Sequence, residues 1–378
     1  MKLSPKISLF IITLLWLLMQ VILLLKNGIV TDGESIKYIS EAERFLATGQ
    51  FSAYSFWLYS TQIFLIITGM VTKTGFVLVV IVQWLFNFAA TLSLYSFSGK
   101  LFSRPAALAA TAIFILTYPY QEFNTFLQTE SLFYSLTIIF SCWLLQLTRI
   151  TPINILAITG ALILLSVTRP TGILFVPCAF LYLFFRFFKT VSTGKKVFIV
   201  FGVSVAFLYF LNLAIGSGGE LDFMLPYRDE RVICGVPTLD HFVDIKTAPN
   251  GNSLYGMLYY ITHNTGQFFD LAWRRTIAFF GLIRTYFGTG HNIYLALFFY
   301  PVYILVIAGL RYWYKKNAYL LLYFSACILM NWVTVAVTCD DWHNRFFLTI
   351  WPYLIIMALP VINNLFAKFA SNESHDSV

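Results

Sequence analysis

Charged side chains are what this chain has least of. Asp, Glu, Lys and Arg together make up 11% of its 378 residues, where a soluble domain carries about a quarter, so a water-exposed surface of ordinary extent cannot be built from it. Metal-ligand spacing is also missing. The 5 cysteines, Cys142, Cys178, Cys234, Cys327 and Cys339, form no close-spaced pair, and three of them lie inside apolar runs where a thiol is a packing group. Cys234 and Cys339 remain as a pair able to meet outside the membrane. There is no Gly-rich phosphate loop, nucleophile elbow, zinc-spaced His pair or kinase signature, which speaks against a nucleotide-dependent activity inside the cell. No internal repeat is visible.

What is abundant is apolar and aromatic: 59% hydrophobic and 19% aromatic residues, with a mean hydropathy of +0.76. At roughly 20 residues per bilayer crossing, the expected fold is an all-α polytopic membrane protein of about ten transmembrane helices. The apolar runs are Ile7 to Leu25, Phe76 to Phe97, Ala106 to Tyr118, Ser131 to Leu147, Ile153 to Thr168, Gly172 to Phe185, Val197 to Ile215, Ile293 to Leu310, Ala318 to Val337 and Phe346 to Leu365. Lys2 and Lys6 before the first run, and no small-residue cleavage site after it, make that run an uncleaved span.

The run Ala53 to Val71 is interrupted by Ser55, Ser60, Thr61, Gln62, Thr68 and Gly69. If it does not cross, Lys2/Lys6, Lys100/Arg104, Arg149, Arg186/Lys189/Lys195/Lys196, Arg311/Lys315/Lys316 and Lys368 all fall on the cytoplasmic side, as the positive-inside rule asks. If it crosses, every later cluster moves outside. We therefore expect an interfacial or re-entrant helix there. The formal charge of +8 reads as topology and membrane-lipid contact, not as a nucleic-acid surface. The expected organisation is one transmembrane domain, 1–370, with outer segments at 26–75 and 216–292, shorter ones at Pro119 to Glu130, Arg169-Pro170 and Cys339 to Arg345, and a disordered tail, 371–378.

The outer segments carry the candidate chemistry. Asp32 and Glu34 open a short amphipathic helix marked by Tyr38, Ala42, Phe45 and Leu46, with Gly49 where it should stop. A carboxylate there can deprotonate a hydroxyl or help hold a divalent cation. Equally, Thr31 with Glu34 can be a capping box. Glu130 stands at the mouth of a span and can face the same cavity or simply favour a helix start. Arg169, before Pro170, is a cation on the outer side near membrane depth, where a charge has a partner or a task, such as gripping phosphate; the other reading is a snorkelling Arg. Cys339-Asp340-Asp341-Trp342-His343-Asn344-Arg345 gathers acids, a His and an Arg able to bind a cation, sugar or phosphate. Arg228, Asp229, Glu230, Arg231, Asp240 and His241 read as a solvated surface.

Taken in order, four of these features resemble the GT-C class of membrane glycosyltransferases, in the branch of protein O-mannosyltransferases and lipid A aminoarabinose transferases. Asp32-Gly33-Glu34 with Tyr38, Ala42, Phe45 and Gly49 resembles the acidic outer motif and juxtamembrane helix. Pro119 with Thr129-Glu130 resembles the second acidic site, Arg169-Pro170-Thr171-Gly172 the Arg-Pro-x-Gly hairpin, and Asn344-Arg345-Phe346-Phe347 to Trp351-Pro352 the late Arg-Tyr-x-x-x-x-x-Pro segment. The chain departs from the pattern in Gly33, between two acids that are adjacent in the family, and in Phe346 for Tyr.

The resemblance implies an inverting transfer of sugar from a polyprenyl-phosphate donor to a protein, lipid or glycan acceptor at the outer face, and the short outer loops without large soluble domains point to a prokaryotic cytoplasmic membrane. Asp32 would be the base, Glu34 and Glu130 would orient the acceptor or share a divalent cation, Arg169 and Arg345 would hold the lipid phosphate, and Tyr38, Asp341 and His343 would touch substrate. Competing expectations are a polysaccharide polymerase or ligase with a lipid-diphosphate donor, a lipid or sugar transporter, which should carry charges in mid-span and a repeat, and a non-catalytic subunit.

Overall fold

The computed structural model describes residues 4–188, 192–216, 224–236 and 242–375. Lys189, residues 217–219, Glu220, Asp240, His241 and 376–378 lie outside the described residues. In chain order the α-helices are α1 (Pro5–Asn27), α2 (Ser35–Thr48), α3 (Ser60–Val71), α4 (Phe76–Leu101), α5 (Arg104–Leu116), α6 (Tyr118–Gln121), α7 (Glu130–Gln146), α8 (Pro152–Thr168), α9 (Phe175–Phe187), α10 (Thr193–Gly216), α11 (Leu225–Arg228), α12 (Leu254–His263), α13 (Thr265–Gly281), α14 (Thr289–Lys316), α15 (Ala318–Val337) and α16 (Arg345–His375). Among the described residues the strand-like pairings are isolated bridges.

Among the described residues, eight helical segments are long and apolar enough to cross a membrane, so the chain is a polytopic membrane protein. They are Pro5–Asn27, Tyr54–Val71, Phe76–Leu101, Pro170–Phe187, Thr193–Leu213, Thr289–Lys316, Ala318–Val337 and Arg345–Lys368; Arg104–Leu116 and Pro152–Thr168 are shorter apolar helices. Every run expected to be a span is helical. The interrupted run is helical too, as a 3-10 turn over Tyr54–Tyr59 continued by α3, and at 18 residues it meets the same length requirement. The stretch 371–375, expected to be disordered, continues α16.

The chain divides into two compact units: the first is Met1–Ala179, Tyr300–Phe324 and Leu348–Val378, the second Phe180–Phe299 and Ser325–Phe347. In the first, local chemistry sets the helix ends. The Ser4 hydroxyl accepts from the Ile7 amide (3.3 Å) ahead of Pro5, and Gly28, at φ +64°, closes α1, a conformation open to glycine. Gly49, at φ +71°, stops α2 where the sequence places a stop. Helix α7 is buried on almost all sides, which suits an apolar helix at the centre of a bundle. The bulk of α16 is buried as well, and the Trp351 indole donates to Thr117 Oγ1 at 2.8 Å.

In the second unit, the Ser253 hydroxyl caps α12 by accepting from the Gly256 amide (2.9 Å), and a disulfide joins Cys234 to Cys339 across a sequence separation of 105. Cys142, Cys178 and Cys327 are buried and lie outside any disulfide among the described residues.

Candidate functional site

Two polar clusters stand out, one in each unit. The first is assembled from three separated segments. After α1 the chain runs extended, and Val30 pairs with the stretch that leads into α7: its amide donates to the Thr125 carbonyl (2.9 Å) and its carbonyl accepts from the Leu127 amide (3.2 Å). That bridge ties the Asp32–Glu34 turn to the approach to Glu130.

The approach itself is fastened by a buried amide network. Gln20 donates to Gln121 (3.2 Å), Asn124 donates to both Gln20 and Gln121 (3.0 Å each), and Ser131 donates to Asn124 (2.6 Å). Gln83 adds bonds to the carbonyls of Phe126 (2.9 Å) and Gln128 (3.3 Å). The bonds among Gln20, Gln121, Asn124 and Ser131 form a buried network that specifies one arrangement.

Glu130, at the first turn of α7, is fully buried and ion-paired with Arg169, whose side chain is 12% exposed. Arg169 has extended backbone geometry where α8 ends, and the Gly172 amide donates back to its carbonyl at 2.8 Å. The hairpin needs glycine there, because a Cβ on Gly172 would lie 2.2 Å from the Leu165 carbonyl oxygen. Tyr38, also buried, donates to Glu34 Oε1 at 3.0 Å. Burial first, then the charges of Glu34 and Glu130 and the neighbouring Tyr59, hold the Tyr38 phenol well above its ordinary pKa, against the opposing pull of Arg169. Tyr38 is therefore a permanent hydrogen-bond donor. Lys37 lies 3.8 Å from Glu34 and 4.3 Å over the Tyr59 ring.

Glu34, Tyr38, Glu130 and Arg169 thus share one electrostatic neighbourhood. Asp32 sits on its exposed edge, two residues before Glu34, with no side-chain hydrogen bond or ion pair among the described residues. The capping box read from Thr31 and Glu34 is not made: Glu34 is at the N-cap position, yet it makes no side-chain cap bond. Beneath the cluster lies an apolar core of Tyr38, Ala42, Ile63, Ile66, Val79, Val80 and Leu127. Among the described residues no group of three or more His, Cys, Asp or Glu side chains is placed to hold a metal ion.

The second cluster is the 339–345 loop. Asp340 is buried and paired with Arg284, which also donates to Asn344. Burial outweighs that guanidinium and pushes the Asp340 carboxyl up to about 7. Arg345 holds Asp341 with two parallel bonds, Nε to Oδ1 at 2.6 Å and a terminal nitrogen to Oδ2 at 2.7 Å. The His343 amide donates to the same carboxylate (3.1 Å), and its ring meets the edge of Trp342 at 3.7 Å. A parallel bridge between Ile233 and Asp340 and the adjoining disulfide fasten the loop. Nearby, Arg275 is fully buried and donates to the carbonyls of Arg231 (2.9 Å), Pro226 (3.2 Å) and Ala336 (3.3 Å).

The group read as solvated surface is in part an internal network. Asp229 is buried and receives a 2.6 Å bond from Arg231, and Glu230 accepts from Gln267 at 3.1 Å. Arg275, Arg284 and Gln62 are the polar residues that sequence reasoning passed over. The rule that flagged Arg169, that a cation in an apolar stretch has a partner, would have found the two arginines. No protein-family model, characterised protein or solved structure matches the chain.

Proposed function

We propose that the chain is a membrane glycosyltransferase of GT-C type that moves a sugar, with inversion, from a polyprenyl-phosphate carrier to an acceptor hydroxyl at the outer membrane surface. The observation that carries the reading is the gathering of Glu34, Tyr38, Glu130 and Arg169 from three distant segments, with exposed Asp32 at the edge. Sugar transfer passes through an oxocarbenium-like state and needs a base for the acceptor and charge stabilisation for the leaving group. Asp32 takes the acceptor O–H proton. The freed oxygen bonds to the anomeric carbon, the carbon–oxygen bond to phosphate breaks, and its electron pair leaves with the carrier. Arg169 meets the phosphate charge, and Glu130 aims the guanidinium. Tyr38 orients Glu34 toward the acceptor. Arg345, held by Asp341 in the other unit, shapes its own loop in this reading.

The disulfide supports an outward site, because such bonds persist in oxidising compartments. Cys234 and Cys339 lie outside only if Tyr54–Val71 does not cross, the parity that the Lys and Arg distribution also favours. The reading is tested by offering the purified chain in lipid a panel of radiolabelled polyprenyl-phosphate and polyprenyl-diphosphate sugars. Transfer from the monophosphates alone is expected. Use of the diphosphates alone would favour a polymerase or ligase, and transfer from neither would remove the glycosyltransferase assignment.

A further inference from the structure

Gln62 is fully buried in the first turn of α3. Among the described residues it is the one amide side chain whose oxygen and nitrogen are both buried without a hydrogen-bond partner in the protein. A buried unsatisfied donor or acceptor is costly, and each such group in a folded protein has a reason.

Its surroundings point to one. Residues 62, 63 and 66 share a helix face, and Ile63 and Ile66 on that face pack in the core that holds Tyr38 and Leu127. Tyr59, three residues earlier, meets the Tyr38 ring at 5.6 Å. On the next face, Thr61 hydrogen-bonds Thr168 (3.1 Å), the residue before Arg169. A second amide is half-satisfied in the same core. Gln83 spends its nitrogen on the carbonyls of Phe126 and Gln128, while its oxygen is buried and unpaired. Two amides that border the acid–phenol–guanidinium cluster and retain unused donors and acceptors suit a group dense in hydroxyls.

We propose that Gln62, backed by Gln83, reads the hydroxyls of the donor's sugar ring, an assignment that rests on the glycosyltransferase reading and names what that site selects. The amide is covered, so the ring reaches it by displacing a neighbouring side chain. Tyr59, tied through Lys37 to Glu34, is the neighbour that links this displacement to the acidic turn. Gln62 is a specificity residue and takes no part in proton transfer.

The test measures binding of a polyprenyl-phosphate hexose and of sugar-free polyprenyl phosphate to the full chain in lipid nanodiscs, for the native protein and Gln62→Met, together with the thermal midpoint. Met keeps the unbranched shape and removes both polar atoms. The native chain should prefer the sugar-bearing lipid. In Gln62→Met that preference should shrink by roughly 10-fold or more, with sugar-free binding unchanged. The midpoint should rise by roughly 2 °C or more, because an unsatisfied amide has been removed from the core. If Gln62→Met does not fold, Gln62→Asn, which withdraws the amide by one methylene, should show the same loss of preference. A stabilised Gln62→Met with the native preference intact would overturn the assignment alone and give the amide to a structural water. A native chain with no preference for the sugar-bearing lipid would overturn both this assignment and the reading beneath it.

Discussion

Breaking the Glu130–Arg169 pair from one side should cost far more than removing it whole. Glu130 is fully buried and the Arg169 side chain is 12% exposed, so each charge relies on the other for most of its solvation. Removing one partner of such a buried pair costs about 3–5 kcal/mol, whereas replacing both with apolar groups is often nearly neutral. At about 2–4 °C per kcal/mol for a domain of this order of size, Arg169→Leu and Glu130→Leu should each lower the apparent thermal midpoint by roughly 6–20 °C. The double variant should recover most of that loss, a coupling of about 2 kcal/mol or more. Fluorescence-monitored unfolding in one detergent at one scan rate measures all four proteins. The double variant should still be inactive in sugar transfer, because its stability returns without its guanidinium. Two single shifts below roughly 2 °C that simply add would refute the claim that these residues carry each other's charge.

Four further outcomes follow from the geometry. Gly172→Ala should destabilise by at least about 1–3 kcal/mol, because its Cβ would lie 2.2 Å from the Leu165 carbonyl oxygen; unfolding midpoints measure this, and transfer should fall as Arg169 moves. Asp340, held at about 7 when folded against about 3.9 unfolded, binds its proton more tightly in the fold, so the stability it contributes is full below about pH 4 and is lost as pH rises toward 7. The thermal midpoint should therefore decline across that window, and Asp340→Asn should flatten the decline. Cys234→Ser should cost about 2–5 kcal/mol, since the bond closes a loop spanning 105 residues. In intact cells, a membrane-impermeant thiol reagent should label Cys339 only after an impermeant reductant, and labelling confined to lysed cells would reverse the orientation.

The sequence made the helices legible because burial in a bilayer writes them as long apolar runs, and the stop at Gly49 because a left-handed residue there favours glycine. It also marked Arg169-Pro170-Thr171-Gly172 as a hairpin. What it could not contain was pairing. The Val30–Phe126 bridge leaves no periodic trace, because it is two backbone bonds between irregular segments. Glu130 and Arg169 are 39 residues apart, and nothing local to either names the other. Arg284 was hidden in the long outer segment 216–292, yet its guanidinium serves Asp340 and Asn344. Gln62 read as one of several polar interruptions in Ala53 to Val71. Only three-dimensional packing separates it from Ser55 and Thr68, because the others reach water or a backbone carbonyl and it reaches neither.

The most direct test of the central claim is transfer of radiolabelled sugar from polyprenyl phosphate by the purified chain in lipid, native against Asp32→Asn. Loss of transfer in the variant, with donor binding and thermal midpoint unchanged, is the predicted result, since the Asp32 side chain is exposed and makes no hydrogen bond or ion pair among the described residues. Equal transfer by both proteins would contradict the account and take Asp32 out of the reaction.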